Sequence, residues 1–252
     1  MNLGYKKFRF EEIKYLDSVK RKLLTKLQKL VGTKTVNFNN YHKFIYNEKK
    51  HEKIQWDLAK YFRDKMLHME CLKGIENFLF RNFGQDILVQ RKPFLRISRP
   101  FKLNDNIGLH KDTIYGQSPY EMSIHIPLTS LGKKSCLMFA GKSYLLREKK
   151  IKFKKQKNLI TKGSKQHKLG KPYNNKEIKE NIYKEKPIPI KYGEFVFFTP
   201  ALVHGQVLNK DKNNTRFSFD LRVSSKFYPV KFDEKSHNGA YVLYSESPIE
   251  KL

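Results

Sequence analysis

Cysteine is nearly absent from this chain, with Cys71 and Cys136 the only two among 252 residues. A disulfide framework is thereby excluded, and both thiols read as reduced packing residues. No run of roughly twenty apolar residues occurs, so no membrane-spanning helix is expected. Residues 1–7 lack a charged start, an apolar block and a small-residue cleavage site, which argues against a secretory signal and for a cytoplasmic protein. Arginine is also scarce. The formal charge is +28, yet only ten of the 52 basic residues are arginine, and the lysines are spread over the whole length. Planar guanidinium forks are what base edges and phosphates select, and no helix-turn-helix, zinc-finger or RNA-binding aromatic signature is present. The excess therefore reads as a solvated lysine surface, and nucleic acid is not the expected partner.

What the chain does have is a core. A hydrophobic share of 39% over this length suffices for one large domain, and the 13% aromatic content, mostly Phe and Tyr, favours strands over a helical bundle. The most informative residues are His110-Lys111-Asp112, followed far along by His204 and then Arg216-Phe217-Ser218. On an extended segment His110 and Asp112, at i and i+2, leave the same face and can grip one ion. His204 follows a strand-like run, Glu194 to Thr199, bounded by Gly193 and Pro200, and is placed at that strand's exit. Two imidazoles and one carboxylate are the set that holds a ferrous ion on one face and leaves the other face open.

From Thr215 to Val223 the pattern alternates: Phe217, Phe219, Leu221 and Val223 share one face, and Arg216, Ser218, Asp220 and Arg222 the other. The apolar face is expected against a helical layer, the polar face along a cavity. A guanidinium with a hydroxyl two residues on suits a carboxylate, because the fork supplies two parallel hydrogen bonds and the hydroxyl a third.

These motifs resemble the non-haem iron, 2-oxoglutarate-dependent dioxygenases, and among them the phytanoyl-CoA dioxygenase-like branch. Residues 91–223 carry the likeness, through Gly108 to Asp112, Met122 to Leu128, Ser135 to Ser143 and Gly193 to Phe198. Lys142 and Tyr144 depart from the branch's pattern. The runs Tyr115 to Glu121 and Thr199 to Gly205 are similar to a narrower subgroup associated with carbohydrate and cell-surface polysaccharide biosynthesis. The resemblance implies a mainly β fold with flanking α, a double-stranded β-helix (jelly roll, cupin-like) with N-terminal helices. It implies Fe(II) on His110, Asp112 and His204, and 2-oxoglutarate held by Arg216 and Ser218, with O2 as second co-substrate. The implied activity is C–H oxidation, by default hydroxylation, of a small-molecule substrate, anionic or sugar-linked. Desaturation, cyclisation and epimerisation stay open, whereas Asp112 occupies the place of the chloride used in related halogenases. Arg222, six residues or roughly 20 Å along the strand from Arg216, is expected to pair with Asp220 instead. His125, on the polar side of its strand, is read as touching the co-substrate or as a packed histidine. Arg96 and Arg99, on the strand Phe94 to Arg99, and Tyr115 are candidate substrate contacts. His42, His51, His68, His167 and His237 have no partner at ligand spacing and read as structural or surface.

Three parts are expected within one domain. Residues 1–89 form a helical buttress, with amphipathic helices over 10–31 and 51–83 separated by a break at Asn37 to Asn40, and with Trp56, Met66 and Met69 as core. Residues 90–230 form the oxygenase core and 231–252 a C-terminal extension. A lysine-rich insertion at 147–191, with a short helix over Asn174 to Tyr183, is either a solvated loop or a lid. Two other readings remain: a non-catalytic jelly-roll binding module, and an oxygenase of protein or nucleic acid.

Overall fold

The computed structural model describes residues 1–154, 164–168, 177–180, 183–206, 208–228 and 240–247. The strands are β1 (Tyr5–Arg9), β2 (Ile87–Gln90), β3 (Phe94–Ser98), β4 (Met122–Pro127), β5 (Leu137–Ala140), β6 (Lys152–Lys154), β7 (Glu177–Glu180), β8 (Lys186–Pro187), β9 (Glu194–Phe198), β10 (Val203–Gln206), β11 (Arg216–Ser225) and β12 (Tyr241–Ser245). A seven-stranded antiparallel sheet runs β1-β9-β4-β11-β2-β12, with β3 also paired to β11; a three-stranded sheet runs β10-β5-β8. The fold is mainly antiparallel β with helices, as expected.

The helices are α1 (Ile13–Val31), α2 (Glu48–Asp64), α3 (Leu67–Leu72) and α4 (Glu76–Phe83). No helix of the described residues is long and apolar enough to cross a membrane. In α1, Leu16, Val19, Leu23 and Leu27 recur at helical spacing and are fully buried. Each such burial is worth about 1.5–3 kcal/mol, so the stripe docks the helix although no side chain caps its N-terminus. Gly32, at φ 87, turns the chain out of α1 and donates its N–H to Gln28 O. Asn37 and Asn40 then exchange side-chain to backbone hydrogen bonds at 2.7 and 3.0 Å, which closes the break.

Three expectations change here. The first helix begins at Ile13, because residues 5–9 are instead a strand paired to β9. The helix expected over 51–83 is divided, since Met66 adopts a left-handed φ of 48 and interrupts the backbone ladder while the apolar periodicity continues across it. Met66 is accordingly half-buried at the break, whereas Trp56 and Met69 pack against the core. Within the insertion, Glu177–Glu180 is a strand paired to β6 rather than part of a helix; the rest of Asn174 to Tyr183 lies outside the described residues, except Tyr183.

β9 is apolar on both faces, as its position demands. Phe195 and Phe197 join the helical core, while Val196 and Phe198 pack with Leu137 and Phe139 of β5 and so join the two sheets. On β11 the expected faces are observed: Phe217, Phe219, Leu221 and Val223 are fully buried in the helical core, with Phe219 against Phe62 and Phe217 against Phe38. The opposite face of β11 is polar and looks toward the smaller sheet's side.

Candidate metal centre

The two histidines meet through their backbones. His110 N–H donates to His204 O at 2.8 Å and His204 N–H to His110 O at 2.9 Å, an isolated antiparallel bridge that sets the rings 4.5 Å apart. His204 lies inside β10 of the smaller sheet, not at the exit of β9; the turn through Pro200 carries the chain from one sheet to the other. Asp112, by contrast, is not on a strand. It starts a 3-10 turn, with its N–H donated to Pro200 O at 2.9 Å, so the same turn anchors both ligand segments.

Each imidazole is oriented by a carbonyl. His110 Nδ1 lies 2.8 Å from Gly108 O and His204 Nδ1 2.9 Å from Leu202 O. A carbonyl only accepts, so the proton sits on Nδ1 and the lone pair of each ring is left on Nε2. Both Nε2 atoms face Asp112 Oδ1, at 3.4 Å from His110 and 3.9 Å from His204. The three ligand atoms lie within 4.8 Å of one another. Atoms so spaced lie within about 3 Å of a common point, close to the roughly 2 Å bonds that a metal requires.

The charge state suits a cation. Burial pushes the His204 imidazole down to about 4, reinforced by His110 and opposed by Asp112. Burial alone would raise the Asp112 carboxyl; the Arg222 guanidinium and the two imidazoles outweigh it and hold the group well below the usual carboxylate range. Neutral nitrogen donors and an ionised carboxylate are the forms that bind metal. Asp112 Oδ2 accepts from Ser123 Oγ at 3.2 Å and lies 3.5 Å from Arg222 Nη2.

Arg216 is fully buried, and among the described residues its guanidinium meets only neutral acceptors: Ser135 O at 2.8 Å, Gln206 Oε1 at 2.6 Å and Asn106 Oδ1 at 3.4 Å. No carboxylate lies within salt-bridge distance of it among the described residues, and burial pushes its pKa down to about 10. Its Nε and the neighbouring Ser218 Oγ have no hydrogen-bond partner among the described residues. A buried guanidinium with no carboxylate beside it among the described residues, next to a hydroxyl without a partner there, leaves a positive charge uncompensated.

The remaining candidates separate. Asp220 accepts from His125 Nδ1 at 2.6 Å and Arg96 Nε at 3.1 Å. It is thus engaged by those two residues, and Arg222 turns to Asp112 rather than to Asp220. His125 Nε2 is buried and unpartnered among the described residues. Arg96 lines the cavity beside the triad together with Arg222 and Phe94. Arg99 does not: its guanidinium is spent on Asp105 at 2.8 and 2.9 Å, Glu48 at 2.7 Å and the Ile45 carbonyl at 3.3 Å. Tyr115 has its ring 5.9 Å from that of His110. Of the other histidines, His42 bonds Thr215 and His51 bonds Tyr41, His68 is buried without a hydrogen-bond partner among the described residues, His167 bonds Ser164 through its N–H, and His237 lies outside those residues. Sequence reasoning missed Gln206, although its place two residues after His204 puts both side chains on one face of β10. It also missed Asn106, which no local pattern marks, and gave no role to Ser123, although alternation sets it on the same polar face of β4 as His125.

No protein-family model matches the chain, and no curated protein matches it in sequence. Solved structures do match in fold. A non-heme monooxygenase, ThoJ in its apo form, superposes with a TM-score of 0.55 at 15% identity, over 98% of this chain and 82% of that one. The ThoJ–Ni complex gives 0.53 at 13% identity with the same coverage. The non-heme α-ketoglutarate-dependent carbocyclase SnoK gives 0.50 at 12% identity, over 89% of this chain and 80% of its own. At these identities the likeness is one of fold.

Proposed function

We propose that this chain is a non-haem Fe(II)- and 2-oxoglutarate-dependent oxygenase built on a double-stranded β-helix. The observation that carries the reading is the nearness of two sites: a His-Asp-His set that lines a cavity with both Nε2 atoms presented, and a buried Arg216 whose guanidinium bonds Gln206 of that cavity's wall, beside a Ser218 hydroxyl without a partner among the described residues. The ThoJ and SnoK fold likenesses support it, and the non-heme and α-ketoglutarate chemistry in their descriptions is what this donor set would perform.

His110 Nε2, Asp112 Oδ1 and His204 Nε2 would hold the metal, and Arg216 with Ser218 the distal carboxylate of 2-oxoglutarate. When bound, iron and 2-oxoglutarate supply oxidation of a substrate C–H bond coupled to formation of succinate and carbon dioxide. The protein's part is orientation and exclusion. The Gly108 and Leu202 carbonyls fix the rings, Gln206 and Ser135 keep the Arg216 fork aimed, and Phe139 and Phe198 wall the His204 ring at 6.1 and 4.7 Å from water. Arg96 and Tyr115 are the substrate contacts we propose, and hydroxylation of a small, sugar-derived or anionic metabolite the default outcome. The motif likeness to the phytanoyl-CoA dioxygenase-like branch and to its polysaccharide-associated relatives is what favours that class.

The test is succinate release. Purified protein with Fe(II) and 2-oxoglutarate should form succinate slowly without substrate and faster with a true one, so a screen of nucleotide sugars, glycosides and amino acids finds the substrate. Absence of iron-dependent succinate formation under every condition would leave the binding-module reading in its place.

A further inference from the structure

Asp112 divides its two oxygens between different tasks. Oδ1 faces both imidazole Nε2 atoms, whereas Oδ2 is turned to Ser123 Oγ at 3.2 Å and Arg222 Nη2 at 3.5 Å. Ser123 and Arg222 are direct cross-strand partners of β4 and β11, so both donors stand on one rung of the large sheet. We propose that this rung positions Asp112: Ser123 and Arg222 hold Oδ2 away from the metal, so that the carboxylate binds through Oδ1 alone.

The inference rests on the metal reading above and deepens it. A carboxylate gripping with both oxygens fills two coordination positions. One oxygen plus two imidazoles fills three of six, which leaves three for a chelating co-substrate and oxygen. The rung is stiff where it must be. The Arg222 side chain is only 12% exposed, and its guanidinium carbon lies 5.6 Å from the Phe94 ring centroid. Nor does Asp220 compete for it, being held by Arg96 and His125. The 3.5 Å contact is longer than a good charged hydrogen bond, so it aims Oδ2 while leaving most of the carboxylate's charge to Oδ1's partner.

Cobalt(II) titration of the full chain, followed by its visible d–d absorption, tests this without turnover, because band intensity reports coordination number. Arg222→Gln should weaken Co(II) binding about 10–100-fold and alter the band, and Arg222→Lys should recover part of both. Ser123→Ala, a small change that spares folding, should weaken binding several-fold in the same direction. A merely structural role would reduce the fraction of competent protein while leaving the midpoint and spectrum of that fraction unchanged. Equal midpoints within twofold and unaltered spectra for Arg222→Gln and Ser123→Ala would overturn the proposal. If instead wild type and Asp112→Ala took up Co(II) alike, it is the metal reading itself that would fall.

Discussion

His110 and His204, 94 positions apart in the chain, exchange both backbone hydrogen bonds of a single antiparallel bridge. The two nitrogen ligands are therefore set by main chain rather than by side-chain packing. Gly205 makes this approach possible, since a Cβ there would stand 2.7 Å from Gly108 O and 2.9 Å from Leu109 Cα, both backbone atoms. Gly205→Ala should cost about 1–3 kcal/mol in denaturant unfolding, as overpacking does, and weaken metal binding. Gly132→Ala, where a Cβ meets nothing within 4 Å, is the control and should stay within about 0.5 kcal/mol of wild type. Equal effects of the two would show that the bridge tolerates spreading.

Arg216→Leu removes a buried cation whose partners among the described residues are all neutral acceptors. Lost charged hydrogen bonds are worth about 1.5–3 kcal/mol each, so the apparent KM for 2-oxoglutarate should rise at least tenfold. Cobalt affinity should change little. Arg222→Leu should do the reverse, and steady-state kinetics beside a metal titration separates the two. The opposite ranking would exchange their roles.

Arg99 belongs to the scaffold. It is 1% exposed and ties β3 to Asp105 and to Glu48 at the start of α2. Replacing it with Met strands a buried Asp105 charge and should destabilise the fold by about 3–5 kcal/mol. In whatever protein remains folded, substrate KM should be unchanged; a KM effect without loss of stability would restore Arg99 as a substrate contact.

His68 gives stability an acid limb. Burial pushes its pKa down to about 4, and neither ring nitrogen has a hydrogen-bond partner among the described residues. The folded state thus binds fewer protons than the unfolded one between its own pKa and the ordinary value near 6.5. The contribution is fully present above pH 6.5 and is lost as pH falls toward 4, up to about 3 kcal/mol. His68→Leu should flatten the stability curve in that window relative to wild type, measured by denaturant unfolding across pH. Parallel curves would assign the acid sensitivity elsewhere.

Much of the scaffold was legible because its signals are local. The two faces of Arg216–Ser225, the double-sided Phe195 to Phe198 run and the Gly84 stop follow from alternation and from a glycine at φ 77. The strand Tyr5–Arg9 was not, because it lies at the sheet edge, only Tyr5 and Phe8 are shielded, and its stability comes from backbone bonds to Glu194–Phe198. Met66 in a left-handed turn carries no glycine or asparagine to announce it. In the site, His110, Asp112 and His204 were found by type and spacing and do converge, but the second sheet that carries His204 was hidden. The turning of Arg222 to Asp112 depends on Asp220 being engaged by His125 and Arg96, a tertiary fact with no trace along the strand.

We propose that His110, Asp112 and His204 form one metal site that drives 2-oxoglutarate turnover. Anaerobic Fe(II) titration followed by succinate assay, on wild type and on Asp112→Ala, addresses it in one experiment. One equivalent of iron should bind wild type and support succinate formation, with both lost in Asp112→Ala while thermal unfolding remains cooperative. Iron binding and succinate formation unchanged by that substitution would contradict it.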